Sequence, residues 1–302
     1  MNSLRLPSVP VWLRLGRVSN LPTVWSNVLA GSLLAAPGWP GLSLLLELLA
    51  ALSLFYVGGM YLNDAFDREI DARERPTRPI PAGQAQAGAV FAAGFAMLAA
   101  GWLLLARHGN SISLLCAGML AALIVLYNLW HKGNPASPLL MGGCRALVYL
   151  TAGSCVAGQI TPILAAGALL LMAHIIGLTY AAKQENRKRI SAWWPLAALA
   201  APLLCYGALL ANQNVPVLLA GCLLWLLLAA CNLAALRLLW QHGPGPMVGR
   251  AVAQLIAATS LLDGLALAAT SNLELSSLLV LLAACIAAWL ATRSLQTIIP
   301  GT

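Results

Sequence analysis

The sequence is poor in charged residues. Asp, Glu, Lys and Arg together make up only 9% of the 302 residues, and nine residues are acidic. About a quarter of a typical soluble domain is charged, so this composition excludes an ordinary soluble protein. Hydrophobic residues make up 60% of the chain, with a mean hydropathy of +0.82. Apolar runs of about 20 residues predict a polytopic membrane protein instead.

Paired cysteines are also missing. Seven cysteines are scattered through the apolar runs, without a CxxC pair and without histidines at zinc spacing. The sequence therefore gives no structural zinc site and no disulfide framework. We expect all seven to be small, buried apolar side chains.

The apolar runs predict an all-α fold, a single domain over residues 1–302 that crosses the membrane nine or ten times. Basic Arg293 at the end of the last run favours ten. The predicted spans are 20–37, 45–66, 86–106, 111–130, 138–158, 162–182, 193–211, 216–238, 251–270 and 276–293.

Basic residues alternate between the loops in a way that orients the bundle. They precede the first span and follow the even-numbered spans, whereas the opposite loops hold only Arg107. Because Lys and Arg collect on the cytoplasmic side, both termini are predicted to be cytoplasmic. The net charge of +8 is spread over these short loops and forms no basic face, which argues against a nucleic-acid partner.

The acidic residues are concentrated after the second span, where residues 63–78 hold five of the nine. Asp64, Asp67 and Asp71 stand at i, i+3 and i+7, so on a helix they share one face. Like charges at this spacing repel unless a cation lies between them. Mg²⁺ prefers oxygen ligands and combines one or two carboxylates with water and phosphate oxygens. We therefore predict that the three aspartates are catalytic metal ligands for a Mg²⁺-bridged phosphate or diphosphate.

Residues next to these aspartates suit the same ligand. Asn63 adds an amide oxygen, and the proline-punctuated loop that follows carries Arg75 and Arg78, whose planar donors match phosphate. The alternative is that the acids only neutralise the arginines of a solvated loop. The position of Asp64 and Asp67 at the end of an apolar helix, where a carboxylate is costly, weighs against that alternative.

The pattern Asn63-Asp64-x-x-Asp67-x-x-x-Asp71, followed by Arg75-Pro76-x-Arg78-Pro79-Ile80-Pro81-x-Gly83, resembles the UbiA superfamily of intramembrane prenyltransferases. That superfamily includes chlorophyll synthase and the hydroxybenzoate and menaquinone enzymes. Looser similarity adds Asn27 in the first span and Lys132 after the fourth as substrate-binding residues. The resemblance implies a helical bundle around a central cavity in the bacterial inner membrane. It also implies Mg²⁺, a polyprenyl diphosphate donor and a lipophilic or aromatic acceptor.

The second aspartate-rich motif of those relatives is missing here. The corresponding segment keeps a Tyr-Ala lead-in at Tyr180, but Glu185 is its one acid. Lys183 and Arg187, at i and i+4, would neutralise diphosphate oxygens directly, with one metal ion or none. We predict that these four residues bind substrate. The alternative is that residues 183–189 form only a topology-setting basic loop.

The intact first motif, the altered second motif and residues 137–145 are similar to the UbiA-like subgroup called EboC. Its members are associated with bacterial gene clusters for exported secondary metabolites. The predicted activity is Mg²⁺-dependent prenyl transfer. The rival interpretation is a carrier or binding protein that kept the fold and the anion site but lost the transferase step.

Arg145 and Asp263 lie well inside predicted spans, where charges usually face the bundle interior. Arg145 is interpreted as a diphosphate-binding residue, with a structural ion pair as the alternative. For Asp263, a structural hydrogen bond and a role in the cavity both remain open. His174 is expected to be a hydrogen-bonded core residue.

Overall fold

The computed structural model describes residues 8–36, 38–184, 193–242, 246–270 and 272–301. Within these ranges the chain forms twelve α-helices and two short 3-10 turns, with no β-strand. The helices are α1 Val9–Leu15, α2 Leu21–Ala35, α3 Leu42–Phe66, α4 Arg68–Glu74, α5 Ala87–Leu105, α6 Ser111–Trp130, α7 Ser137–Ala157, α8 Pro162–Ala182, α9 Ala200–Leu210, α10 Val215–His242, α11 Pro246–Thr270 and α12 Leu275–Leu295.

The predicted all-α membrane fold is confirmed, and each predicted span coincides with a helix. Eight helices in the described ranges have the length and hydropathy to cross a membrane, namely α3, α5, α6, α7, α8, α10, α11 and α12. The other two predicted spans are shorter. Helix α2 has 15 residues, and the second is the helical stretch Pro195–Leu210.

Local signals set the helix ends. The Asn110 side chain accepts hydrogen bonds from the backbone N–H groups of Ile112 and Ser113, at 3.0 and 2.9 Å, and begins α6. Thr161 caps α8 in the same way, directly before a proline at the first helical position. Gly158 ends α7 with a φ of 74°, a left-handed conformation that glycine adopts without strain.

Helix α11 is the most buried of the long helices and lies at the centre of the bundle. In its most apolar window 83% of the residues are buried, against 28% for the peripheral helices α5 and α12. It packs against α2, α8, α9, α10 and α12. A hydrophobic driving force between helices is absent in lipid, so close packing of small residues replaces it. The many alanines of α11 permit that packing.

Helices α2 and α7 approach each other closely through glycines. A Cβ atom on Gly31 would lie 2.8 Å from the carbonyl oxygen of Tyr149, and one on Gly153 would lie 2.6 Å from the carbonyl oxygen of Gly31. Neither backbone can give way cheaply, because both belong to buried helices. This contact fixes the distance between the two helices that carry Asn27 and Arg145.

The expectation for the cysteines is wrong at two positions. Five cysteines are buried, but Cys205 on α9 and Cys222 on α10 are exposed. Both helices lie at the outside of the bundle, and a small apolar side chain is as compatible with lipid chains as with a protein core.

We expect Gly31→Ala to destabilise the protein by about 1–3 kcal/mol, because the added methyl group overpacks the α2–α7 contact. Gly88→Ala is the matched control, since a Cβ there meets no atom within 4 Å and alanine favours a helix. Thermal unfolding of both purified variants in detergent measures the difference. Equal melting temperatures would contradict the close approach of α2 and α7.

Candidate functional site

A cavity of about 610 Å³ lies between α2, α3, α6, α7, α8 and α11. One end, which we call the motif end, is polar, and the remaining walls are mostly apolar. The motif end is lined by Arg17, Asn63, Asp67, Glu74, Arg75, Arg78, Asn128, His131, Lys132 and Lys183. The apolar walls include Val24, Leu52, Phe55, Leu120, Ile124, Val148, Ile175 and Ile256.

The aspartate motif is helical across the joint between α3 and α4. Asp67 stands between the two helices, and its N–H donates to the carbonyl of Asn63 at 3.0 Å. The N–H of Asp71 donates in turn to the carbonyl of Asp67 at 2.8 Å. Asp64, Asp67 and Asp71 are only 6%, 5% and 2% exposed, so they do not form a solvated loop.

Two arginines neutralise Asp64 and Asp71. Arg17 Nη2 and Arg78 Nη1 donate to Asp64 Oδ1 at 3.1 and 3.2 Å. Arg78 Nη1 also lies 2.7 Å from Asp71 Oδ2. The repulsion expected between neighbouring carboxylates is thus relieved by guanidinium groups, and the side chains of Asp64 and Asp71 do not line the cavity.

Asp67 instead faces the cavity. Its Oδ2 lies 3.3 Å from His131 Nε2 and 3.7 Å from Lys132 Nζ. Burial on its own would raise the pKa of Asp67, but the hydrogen bond from His131 and the positive charges of His131, Lys132 and Arg78 outweigh it. The net pKa lies below the ordinary value, so Asp67 stays ionised at neutral pH.

Arg17 is a site residue that the motif search missed. Its backbone is left-handed, with φ 43°, the one positive φ at a non-glycine residue in the described ranges. This conformation costs free energy and turns the guanidinium toward Asn63 Oδ1, at 3.2 Å, as well as toward Asp64. Asn63 in turn donates to Asn128 Oδ1 at 3.0 Å. An arginine directly before the first span of a charge-poor chain was the available signal.

The remaining predicted residues are placed as follows. Arg75, Lys132 and Lys183 line the motif end, and Lys183 Nζ donates to the carbonyl of Asn134 and, at 2.9 Å, to Ser137 Oγ. Tyr180 is partly buried on α8 but is not among the cavity-lining residues.

Two predicted residues, Glu185 and Arg187, lie outside the described residues. His131 was also missed by sequence reasoning, although it stands directly before Lys132. His174 is fully buried, and its Nε2 lies 3.1 Å from the Leu255 carbonyl, as expected of a core histidine.

A second polar group lies deeper, between α2, α7 and α11. Arg145 lines the cavity, and its Nη1 donates to Asn27 Oδ1 at 2.7 Å and its Nη2 to Thr23 Oγ1 at 3.1 Å. Asn27, predicted as a substrate-binding residue, is fully buried next to Arg145 and is not among the cavity-lining residues. Asn27 Nδ2 also donates to both carboxylate oxygens of Asp263, at 2.9 and 2.8 Å.

Asp263 is held by hydroxyl groups as well. Ser26 Oγ and the Tyr149 hydroxyl each lie 2.5 Å from its carboxylate. Together with the Asn27 amide, these hydroxyls give the buried carboxylate three hydrogen-bond donors, as buried polar groups require. Of the two open interpretations of Asp263, the structure shows the hydrogen-bonded one, since the side chain does not line the cavity.

Residues 24–243 match the sequence profile of the UbiA prenyltransferase family. The chain belongs to this family. The similar proteins include protoheme IX farnesyltransferase 1 of Shewanella sp. (strain W3-18-1), which is 36% identical over 48% of this chain and 47% of that protein. Digeranylgeranylglyceryl phosphate synthase of Methanopyrus kandleri is 32% identical over 48% of this chain and 50% of that protein. The chain thus spans about half the length of the curated relatives it matches.

Solved structures share the fold. A UbiA homolog from Aeropyrum pernix K1 superposes with a TM-score of 0.61 at 18% identity, covering 82% of this chain and 94% of that chain. A UbiA homolog from Archaeoglobus fulgidus bound to DMAPP and Mg²⁺ gives a TM-score of 0.60 at 15% identity, covering 94% and 99%. At these identities the likeness establishes only the fold of this UbiA-family protein. Which ligands it binds has to be argued from its own residues.

The three aspartates of this UbiA-family protein do not form a metal cage by themselves. Among the described residues no three His, Cys, Asp or Glu side chains are placed to hold one ion. The predicted set of three metal ligands stays a prediction, and two of its members are paired with arginines: Asp64 with Arg17 and Arg78, and Asp71 with Arg78. Asp67 and Asn63 line the cavity and carry oxygens, of which Asn63 Oδ1 also accepts from Arg17. That donor set fits a Mg²⁺ ion that takes its other ligands from water and phosphate.

We expect Arg78→Gln to destabilise this UbiA-family protein by about 3 kcal/mol, because Asp71 is then buried without a cation in contact. Arg73→Gln changes an exposed arginine on α4, the helix of Asp71. It is the control and should stay within about 0.5 kcal/mol of the parent chain. Thermal unfolding in detergent measures both. Combining Arg78→Gln with Asp71→Asn should restore part of the loss, and no recovery would contradict the assigned pairing.

Proposed function

We propose that this protein is an intramembrane prenyltransferase that moves a prenyl group from a polyprenyl diphosphate to a lipophilic or aromatic acceptor. The observation that carries the proposal is the charge distribution in the cavity. Six cationic side chains and two acidic ones line it within the described ranges, and the cations except Arg145 gather at the motif end. A diphosphate headgroup suits that end, and an isoprenoid chain suits the apolar walls.

The headgroup would be held by several cations of different kinds. Lys132 and Lys183 supply compact charges, whereas Arg75 supplies a planar fork that matches two phosphate oxygens. Arg17 and Arg78 connect this cluster to the aspartate motif through Asp64 and Asp71. These ion pairs fix the positions of both arginines before a donor arrives, which lowers the cost of ordering the site.

We assign Mg²⁺ to the same end, with Asp67 and Asn63 as its protein ligands. When bound, the ion would act as a Lewis acid on the departing diphosphate. The Archaeoglobus fulgidus homolog, which was solved with DMAPP and Mg²⁺, supports a metal and a prenyl diphosphate for this fold. In this chain, lysines and arginines supply positive charge that a metal ion held by a second aspartate-rich motif would otherwise supply.

The chemistry follows from this division of the cavity. The allylic C–O bond breaks with its electron pair going to the diphosphate, whose charge the motif-end cations stabilise as it develops. The apolar walls keep water away from the carbocation-like prenyl group. The acceptor nucleophile then forms the new bond to the prenyl carbon and releases a proton. The curated relatives have different acceptors in their names, so they support prenyl transfer without fixing the acceptor.

A carrier that binds a prenylated or secondary-metabolite precursor is the second candidate. Acids are scarce after α8, and the described residues hold no three-ligand metal group; both facts favour it. The EboC assignment, the bacterial inner membrane and the cytoplasmic position of both termini stay predictions. Binding of polyprenyl diphosphate at the motif end is common to both candidates.

A turnover assay separates the two candidates. Purified protein is incubated with labelled farnesyl or geranylgeranyl diphosphate, Mg²⁺ and a panel of aromatic and lipid acceptors. We expect a prenylated product together with released diphosphate, since the cavity holds the parts for ionising the donor. Donor binding without product or diphosphate release from any acceptor would contradict the transferase and favour the carrier.

Asp67→Asn should weaken farnesyl diphosphate binding at least tenfold in the presence of Mg²⁺, about 1.4 kcal/mol, because the ligand facing the cavity is lost. Without Mg²⁺ the variant and the parent should bind alike. Glu69→Gln, an exposed acid two residues away, is the matched control and should change neither value. Equal Mg²⁺ dependence in Asp67→Asn and the parent would show that Asp67 is structural.

A further inference from the structure

Arg145 lies further along the cavity than Lys132 and Lys183 at the motif end, and Tyr56 stands between it and Arg17, whose carbonyl accepts from the Tyr56 hydroxyl at 3.3 Å. Its guanidinium carbon is 5.6 Å from the ring centroid of Tyr56. Tyr56 precedes Asp64 by eight residues on α3, which corresponds to about 12 Å along the helix axis at 1.5 Å per residue. Arg145 is likewise eight residues along α7 from Ser137, the residue that Lys183 contacts. The two positive regions of the cavity therefore lie at different depths.

No carboxylate in the described residues forms an ion pair with Arg145. It contacts neutral oxygens on Asn27 and Thr23 and the face of the Tyr56 ring. An arginine side chain remains charged, and a charge among apolar walls is costly unless a partner compensates it. Asp263 does not contact Arg145 directly, and Asn27 lies between its carboxylate and the positive charge of the guanidinium.

The Asn27–Asp263 contact fixes the direction of this arginine. Because the amide nitrogen of Asn27 donates to Asp263, its amide oxygen faces Arg145 and accepts from it. Thr23 holds the second guanidinium nitrogen. One N–H on each of Nη1 and Nη2 of Arg145 is engaged in this way, which leaves donors of the guanidinium available, and Arg145 lines the cavity. Such a guanidinium is set up to bind a carboxylate or phosphate oxygen pair.

We propose that Arg145 is a second anion subsite, which binds a carboxylate or phosphate group on the acceptor, and that Asn27 and Asp263 are its positioning residues. This inference deepens the proposed function and relies on it for treating the cavity as the place of transfer. The donor is an unsuitable partner for Arg145. In the proposed function its diphosphate is bound by Lys132, Lys183 and the Mg²⁺ ion of Asp67 at the motif end, about two helical turns along α3 from Tyr56, and its isoprenoid chain has no group that a guanidinium binds.

Two probes with the same tail test the subsite in the purified full-length chain. The probes are 4-octylbenzoate and its methyl ester, which differ in charge, and equilibrium binding of each is measured in the presence of saturating farnesyl diphosphate. We expect the parent chain to bind the acid at least tenfold more tightly than the ester. Arg145→Gln should remove this preference while changing farnesyl diphosphate affinity less than twofold.

Further variants separate positioning from folding. Asp263→Asn should reduce the acid preference severalfold, since Asn27 loses the group that orients it, and should leave farnesyl diphosphate binding unchanged. Arg145→Lys keeps the charge and should retain part of the preference, and it replaces Arg145→Gln if that variant does not fold. Arg107→Gln changes an exposed arginine between α5 and α6 and is the control for net charge.

The proposal is overturned if the parent chain binds acid and ester alike, or if Arg145→Gln lowers farnesyl diphosphate affinity and leaves the acid preference intact. Failure of the prenyltransferase proposal looks different. In that case acid preference depends on Arg145 in a chain that forms no prenylated product from any acceptor. Donor turnover without acid preference would instead retain the enzyme and remove the subsite.

Discussion

The architecture of the motif end depends on the pairing of buried carboxylates with cations from other segments. Arg78 joins Asp64 at the end of α3 to Asp71 on α4, and Arg17 ties the chain before α2 to the same cluster. Removing one partner of a buried pair leaves an uncompensated charge, which costs several kcal/mol. These pairs therefore hold the loop, α4 and the amino-terminal segment together over the mouth of the cavity.

The same pairing determines which acid is accessible. Since Asp64 and Asp71 are occupied by arginines, Asp67 is the carboxylate of the motif that lines the cavity, next to His131 and Lys132. The described lining of the cavity thus combines two acids, Asp67 and Glu74, with six cations. That combination favours an anionic ligand over a bare metal ion, and it agrees with a chain in which the usual second acidic motif is replaced by basic and amide residues.

The fold and much of the site follow from the sequence. Hydropathy located the eight long apolar helices and the two shorter helical segments of the described bundle, because lipid imposes a minimum apolar length that few other constraints disturb. The motif spacing predicted carboxylates on one helix face, and their pairing with Arg78 was part of the alternative interpretation, which expected a solvated loop instead of the buried one that is found. The spacing could not show that Arg17 reaches Asp64, since that contact joins residues 47 positions apart through a left-handed backbone at Arg17. The arrangement of Asn27, Arg145 and Asp263 likewise required three helices to be packed together, and the exposure of Cys205 and Cys222 depended on which helix faces point outward.

The burial of α11 has a consequence for how the protein is made. This helix carries Arg250, Gln254 and Asp263, and its mean hydropathy over the spanning window is 1.6, against 2.3 for its neighbour α10. Polar and charged residues near the middle of a segment disfavour its release into lipid as an isolated helix. During synthesis α11 would therefore leave the translocon together with α10, with which it packs. Assembly of the bundle and membrane insertion of its centre are then a single event.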